Sequence, residues 1–259
     1  MQRLSALLLA VVAAAVPLDA QWVVKPPARL DLAGRAPRTP EGRPDFSGIW
    51  KPERNRPCPP AVCNDMEVPQ EFIDIGWSLK GGLPYQPWAA ALRKERMSLN
   101  RTTDPNSRCL PNGIVRMHTA PLYRKMVQTP SLLLILNERN TYYRQIYIDG
   151  RPLERDPNPS WSGYSTAAWE GDTLVVRSNG FRDDLWLDSN GSPMTAAATI
   201  TERFRRPNFG SLEIALTVDD PKAYTRPWTV TMKQVYVADS ELLDYVCAEN
   251  EKSVRHFGQ

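Results

Sequence analysis

The stretch from Ser131 to Val237 most constrains the fold, because short β-branched and aromatic runs alternate there with turn residues. Such a pattern is typical of an antiparallel β-meander. Together with an earlier run, Asp45–Trp50, it predicts an all-β fold: an eight-stranded up-and-down barrel, which leaves no exposed sheet edge. The seven later runs are SLLLILN (131–137), TYYRQIYID (141–149), STAAW (165–169), TLVVRSNGF (173–181), TAAATITERFRR (195–206), SLEIALTVDD (211–220) and WTVTMKQVYV (228–237).

The first half of the chain reads differently, because 16 of the 24 prolines lie between Pro26 and Pro130. Proline lacks the backbone donor that helices and sheets need. Residues 21–130 are therefore predicted to be an irregular arm around the barrel, with one strand at 45–50 and one helix at 87–99, in which Trp88, Leu92 and Leu99 provide the packing face. The barrel is expected to occupy 131–247, and residues 248–259 to be a tail.

The first twenty residues, MQRLSALLLAVVAAAVPLDA, combine one arginine, an apolar run and a small residue at Ala20. This is typical of a signal peptide, since the run is too short for a membrane span. We therefore expect an exported protein, cleaved near Ala20, without stable membrane insertion.

Four cysteines in an exported chain suggest two disulfides, although three pairings are possible. We expect a local Cys58–Cys63 bridge and a long-range Cys109–Cys247 bridge. The spacing does not favour a metal site. A net charge of +3 does not suggest a nucleic-acid partner, and the absence of a Walker loop or dinucleotide fingerprint predicts no cofactor.

Loop lengths indicate where a ligand would bind. Short connections (138–140, 170–172, 207–210) alternate with long ones (149–163, 179–194, 219–227), and successive connections of a meander lie at opposite ends. All long loops should then form one open mouth, where small barrels hold ligands. Glu170-Gly171-Asp172 becomes a tight turn at the closed end, rather than a catalytic acid pair.

Several motifs resemble a family of secreted bacterial proteins without assigned function. Members of that family carry histidines at loop positions that correspond here to Leu153, Tyr164 and Met194, so imidazole chemistry at those positions is not expected in this chain. The opening Gly48-Ile-Trp50, followed by a meander, is similar to lipocalins. The motifs are PDFSGIW (44–50), DGR (149–151), WSGYS (161–165), WEGDTLVV (169–176) and ERFRR (202–206).

Strand alternation places one charged residue on each of two inward faces. Glu202 lies between Ile200 and Phe204, and Arg144 alternates with Ile146. Buried charges are costly unless paired, so we expect Arg144 and Glu202 to face each other inside the barrel. The pair either fixes strand register or anchors a ligand, with Glu202 available as a general base.

Three functions follow as hypotheses. The first is an exported barrel that binds a small apolar or aromatic molecule at the long-loop end. The second is a cofactor-independent isomerase, lyase or cyclase, with Glu202 as acid/base, Tyr164 as hydrogen-bond donor and Arg144 beside them. The third is a scaffold whose barrel is plugged by its own aromatics. The candidate ligand-binding residues are Tyr142, Arg144, Trp161, Tyr164, Trp186, Met194, Glu202 and Trp228.

Overall fold

The structure is a computed structural model that describes residues 30–53, 68–183, 185–247 and 249. The expected signal peptide, the Cys58–Cys63 bridge and nearly all of the 248–259 tail lie outside the described residues.

Within the described part of the chain, strands greatly outnumber helices, as the alternation predicted. The strands are β1 (Gly48–Pro52), β2 (Arg124–Gln128), β3 (Leu132–Asn137), β4 (Tyr143–Tyr147), β5 (Tyr164–Glu170), β6 (Thr173–Asn179), β7 (Leu185–Trp186), β8 (Pro193–Met194), β9 (Thr199–Arg205), β10 (Ser211–Asp219) and β11 (Trp228–Val237). The helices are α1 (Gln70–Ile73), α2 (Pro87–Ser98) and α3 (Gly113–Thr119), with a 3₁₀ turn at Pro105–Arg108.

The predicted barrel is confirmed, with nine strands rather than eight. Their order around the barrel is β1-β11-β10-β9-β6-β5-β4-β3-β2, and β7 and β8 form a separate hairpin. The additional strand is β2, which lies in the stretch predicted to be irregular and pairs with both β1 and β3. The side chains of Arg124 and Met126 in β2 are buried. Because one of these two residues is an arginine, the segment lacks the alternation of apolar and polar residues that predicts a strand.

The meander is interrupted once, because β4 and β5 pair in parallel, through a single bridge from Tyr147 to Thr166. The connection 148–163 therefore runs from one end of the barrel to the other. The connections 180–198 and 220–227 still share an end, here called the loop end, while the turns 171–172 and 206–210 share the opposite turn end. The expectation that every short turn gathers at one end is wrong, since 138–142 lies at the loop end.

The barrel interior is filled rather than open. All seven residues of α3 are buried, and the carboxyl end of this helix lies inside the barrel. Apolar side chains from the strands surround it, including Ile200 and Phe204 of β9. At the turn end, the buried Phe46 stacks on Trp169 with ring centroids 5.7 Å apart.

The helix predicted at 87–99 is confirmed as α2, which begins at Pro87. Its predicted packing face is wrong: Trp88 and Leu99 are 46% and 45% exposed, and Ala89 is the buried residue of the helix. The indole of Trp88 instead donates to the carbonyl of Lys222 (2.8 Å), so the ring lies across the surface.

The stretch WEGDTLVV forms the predicted hairpin. Glu170 pairs with Thr173 across the turn, and Gly171 has a φ of +59°. Both carboxylates have structural partners at the surface, Glu170 with Arg203 (2.8 Å) and Asp172 with Arg38 (2.6 Å).

The predicted Cys109–Cys247 disulfide is confirmed, and joins residues 138 positions apart in the sequence. It ties the carboxyl-terminal segment to the residue that follows the 3₁₀ turn. Among the described residues, no helix is long and apolar enough to cross a membrane.

Candidate functional site

A group of polar side chains lies inside the barrel, in the middle of the apolar core. Arg144 on β4 and Glu202 on β9 face each other, as strand alternation predicted, with Nη1 of Arg144 3.0 Å from Oε1 of Glu202. Nη2 of Arg144 contacts the other carboxylate oxygen, so the pair is bidentate. Both side chains are almost completely buried.

Two serines extend this pair toward β5 and β6. The Arg144 guanidinium donates to Oγ of Ser165 (3.2 Å) and to Oγ of Ser178 (3.0 Å). The two hydroxyls also bond each other at 2.8 Å. Arg144 thus contacts groups from three other strands, β5, β6 and β9, and fixes their relative register.

His118 completes the group, here called the polar cluster (Arg144, Ser165, Ser178, Glu202 and His118). Its Nε2 lies 2.8 Å from Oε1 of Glu202, and the imidazole is fully buried. This contact was not predicted from the sequence. The seven residues of α3 are too short for helical periodicity to be recognised, so nothing in the sequence indicated that His118 enters the barrel.

The charges of the cluster follow from its contacts. Burial alone would raise the pKa of Glu202, but the Arg144 guanidinium and the hydrogen bond with His118 bring it to about 2. Burial lowers the pKa of His118, despite the opposing effect of Glu202. At neutral pH Glu202 is therefore ionised and His118 neutral. The proton of His118 must reside on Nε2, which leaves Nδ1 as a bare acceptor.

The carboxyl end of α3 is held by a second buried cation. Arg124 donates to the carbonyls of His118 (2.9 Å) and Ala120 (3.0 Å), and Nε2 of Gln234 donates to the same His118 carbonyl (3.0 Å). The last carbonyls of a helix lack partners within it, and a cation there also complements the helix dipole. Arg124 therefore fixes the end of α3 that carries His118.

A cleft of about 310 Å³ opens where β4 and β5 separate beyond their single bridge. Aromatic side chains form much of its walls, and Arg144 and Ser165 of the polar cluster lie at its floor. We call it the β4–β5 cleft. It brings together four of the eight candidate ligand-binding residues: Tyr142, Arg144, Trp161 and Tyr164.

The aromatic walls are held in place by neighbouring groups. The ring centroids of Tyr147 and Tyr164 are 5.6 Å apart, and the guanidinium of Arg151 lies 3.8 Å from the centre of the Tyr147 ring. Arg182 lies over Trp161 at 4.8 Å. Rings held by such contacts lose little freedom when a flat ligand binds against them.

Three other candidates lie away from this cleft, in a small core at the loop end. Trp186, Met194 and Trp228 are only 4%, 2% and 3% exposed. Arg96 covers the ring of Trp186 at 4.6 Å, and Tyr224 packs edge-on against Trp228. They were expected at an open mouth, but the β7–β8 hairpin folds over this end and buries them. The eighth candidate, Glu202, is buried in the polar cluster.

A second cleft, of about 230 Å³, lies across the barrel beside β11. We call it the β11 cleft. Its lining includes Pro52, Trp77, Thr119, Gln234 and His118. The polar cluster therefore lies between two clefts, with Ser165 toward one and His118 toward the other.

Two of the loop positions at which imidazole chemistry was not expected, Tyr164 and Met194, lie in different parts of this structure. Tyr164 lines the β4–β5 cleft, whereas Met194 is buried in the loop-end core. Among the described residues, no group of three or more His, Cys, Asp or Glu side chains is placed to hold a metal ion.

The fold and the site define a class: a nine-stranded β-barrel, filled by a short helix, with a buried Arg–Glu–His cluster between two surface clefts. Comparison with known proteins found no protein-family model that matches this chain and no curated protein with significant similarity to it.

Proposed function

We propose that this protein is an exported barrel that binds a small aromatic molecule in the β4–β5 cleft. The observation that carries the proposal is the separation of β4 and β5 at an aromatic-walled cleft, with a buried polar floor. Aromatic walls around a few placed polar groups are typical of small-molecule sites. The ligand thus enters through the side of the barrel, and not through the loop end.

The floor of the cleft indicates which polar group the ligand carries. Ser165 and Ser178 together have two hydroxyl protons, and one of them lies in their mutual hydrogen bond. Arg144 has only donors, so it cannot accept the second proton. Among the described residues no group accepts the second proton. We infer that Ser178 donates in the mutual bond, so that the hydroxyl of Ser165, which lines the cleft, is left as a donor for an oxygen of the ligand.

The charge balance favours a neutral ligand. The positive charge of Arg144 is already matched by the ionised Glu202 at two oxygens. A carboxylate on the ligand would therefore have to compete with Glu202 for the same guanidinium. We infer a flat, neutral molecule with one carbonyl, ether or phenol oxygen directed at Ser165.

Export is the second part of this proposal. Its support is the composition of the first twenty residues and the disulfide between Cys109 and Cys247, since disulfides persist mainly in oxidising compartments. The disulfide is compatible with an exported protein.

Mass spectrometry of the protein purified without denaturation tests the binding function. We predict a copurified small molecule, and Trp161→Ala should reduce its retained amount at least tenfold, because one aromatic wall is lost. Trp88→Ala is the matched control, since Trp88 is a surface tryptophan outside the cleft. Equal retention by both variants, or a wild-type protein that binds nothing, would contradict the proposal; the second result favours the plugged scaffold.

An acid–base enzyme is the second candidate, and the observation that favours it is the hydrogen bond between His118 and Glu202. A carboxylate that orients an imidazole is common in proton-transfer sites. Glu202 is ionised and held by Arg144, so it would orient His118 rather than accept protons itself. Because His118 lines the β11 cleft and not the β4–β5 cleft, this candidate predicts that a substrate bound in the β11 cleft is converted by the wild-type protein and left unaltered by His118→Gln.

A further inference from the structure

The β11 cleft lies outside the proposed binding site, and two buried polar atoms belong to residues that line it. Within the part of the chain that the structure describes, Nδ1 of His118 and Oγ1 of Thr119 have no hydrogen-bond partner, although both are shielded from solvent. His118 and Thr119 both line this cleft. A buried polar atom without a partner loses its hydrogen bonds to water and gains none in return, so two neighbouring ones need an explanation.

The chemistry of these two atoms is defined by their surroundings. Nε2 of His118 faces an ionised carboxylate and must carry the proton, so Nδ1 can only accept a hydrogen bond. The hydroxyl of Thr119 can donate or accept. Together they match a hydroxyl or N–H group, which donates to His118 and pairs with Thr119.

Part of the remaining lining is suited to the flat ring of a ligand that carries such a group, and the charged side chains Glu53, Glu71 and Lys233 complete the lining. Trp77 is 46% exposed at the cleft, and Pro52 and Pro69 contribute apolar surface. An indole with solvent on one side can stack on an aromatic ring and has room to move aside. His118 is fully buried behind the floor of the cleft, so the leading group of a ligand reaches Nδ1 only when a lining side chain moves aside.

We propose that the β11 cleft is a second binding site, for a small aromatic molecule that carries a hydroxyl or N–H donor. The donor bonds to Nδ1 of His118, and Trp77 stacks on the ring. This site differs in chemistry from the β4–β5 cleft, which offers a donor where the β11 cleft offers an acceptor. The inference does not depend on the proposed function.

Nitrogen NMR tests this directly, because the chain contains only two histidines, His118 and His256. In a His256→Ala variant labelled with ¹⁵N-histidine, every imidazole signal belongs to His118. Phenol is the probe, and toluene is the matched compound without a donor. We expect phenol to shift the Nδ1 signal in a saturable way, and toluene to leave that signal in place.

Variants made in the His256→Ala protein distinguish phenol binding in the β11 cleft from a nonspecific effect of phenol on the His118 signal. Trp77→Ala should weaken the phenol response at least tenfold, whereas Trp88→Ala, which removes an equally exposed tryptophan outside the cleft, should not change it. An Nδ1 signal that phenol never moves would overturn the proposal. So would a response that survives Trp77→Ala, or one abolished by Trp161→Ala, which would place phenol in the β4–β5 cleft instead.

Discussion

Among individual residues, Arg144 and Glu202 form the centre of the polar cluster. Sequence alternation was sufficient to predict that the two residues meet, because a charge between apolar neighbours on an inward face needs a partner. It could not predict His118, Ser165 or Ser178, whose side chains reach the pair from α3, β5 and β6. Those contacts depend on how separate elements pack, which a local pattern does not contain.

Arg144→Met should lower the free energy of unfolding by about 3–5 kcal/mol, because it leaves the Glu202 carboxylate buried without its cation. The double variant Arg144→Met/Glu202→Gln should recover part of this loss, since no buried charge remains. Denaturant unfolding monitored by tryptophan fluorescence measures both. Arg205→Met is the control: Arg205 pairs with Glu213 at the surface, and its loss should cost about 1 kcal/mol or less. A double variant less stable than the single one would contradict this account of the pair.

The same cluster predicts how stability depends on pH. The pKa of His118 is lowered in the folded protein, so below about pH 6.5 the unfolded chain binds the proton more strongly. The pKa of Glu202 is lowered from 4.5 to about 2, so its contribution is present above pH 4.5 and lost on further acidification. Both effects reduce stability as the pH falls. Thermal unfolding measured between pH 8 and pH 5 tests this. In a His256→Ala protein, Tm should fall as the pH falls, and it should fall less when His118→Gln is added. Parallel plots of Tm against pH for the two proteins would contradict the assignment of this effect to His118.

At the scale of elements, the strands were more predictable than their connections. Seven runs after Ser131 and the run before Trp50 all contribute strands to the barrel, because their period-two alternation is local. The parallel step from β4 to β5 was not predicted, since strand direction depends on the path of a long connection. The parallel pairing of β4 with β5 creates the β4–β5 cleft. The strand pattern of the sequence therefore did not predict the position of the candidate binding site.

Helix α3 begins at Gly113, and this position requires a glycine. Gly113 has a φ of +72°, and a Cβ there would lie 3.1 Å from Leu185 and 3.3 Å from the carbonyl oxygen of Trp161. Gly113→Ala should therefore destabilise the protein by about 1–3 kcal/mol and weaken ligand retention in the β4–β5 cleft. Gly150→Ala is the matched control, because Gly150 has a φ of +83° with open space around it. It should lower the unfolding free energy and leave retention unchanged; equal retention in both variants would contradict the link from α3 to the cleft.

In the whole molecule, the described residues from Asp31 onward form a barrel that is covered at both ends and has a cleft in its side. Phe46 covers the turn end, and α3 with the loop-end core fills the other. The disulfide from Cys109 to Cys247 fastens the carboxyl-terminal segment close to α3. Loop lengths alone suggested an open mouth, but they do not show whether a hairpin such as β7–β8 folds over it. The candidate site therefore lies in the barrel wall, and not at the loop end where the loop lengths predicted it.

A crystal structure of the protein purified with its native ligand distinguishes a site in the barrel wall from a site at the loop end. We expect electron density for a flat molecule beside Trp161 and Tyr164, with one oxygen within hydrogen-bond distance of Ser165 Oγ. Density for the ligand at the loop end, or inside a barrel from which α3 has withdrawn, would contradict this expectation.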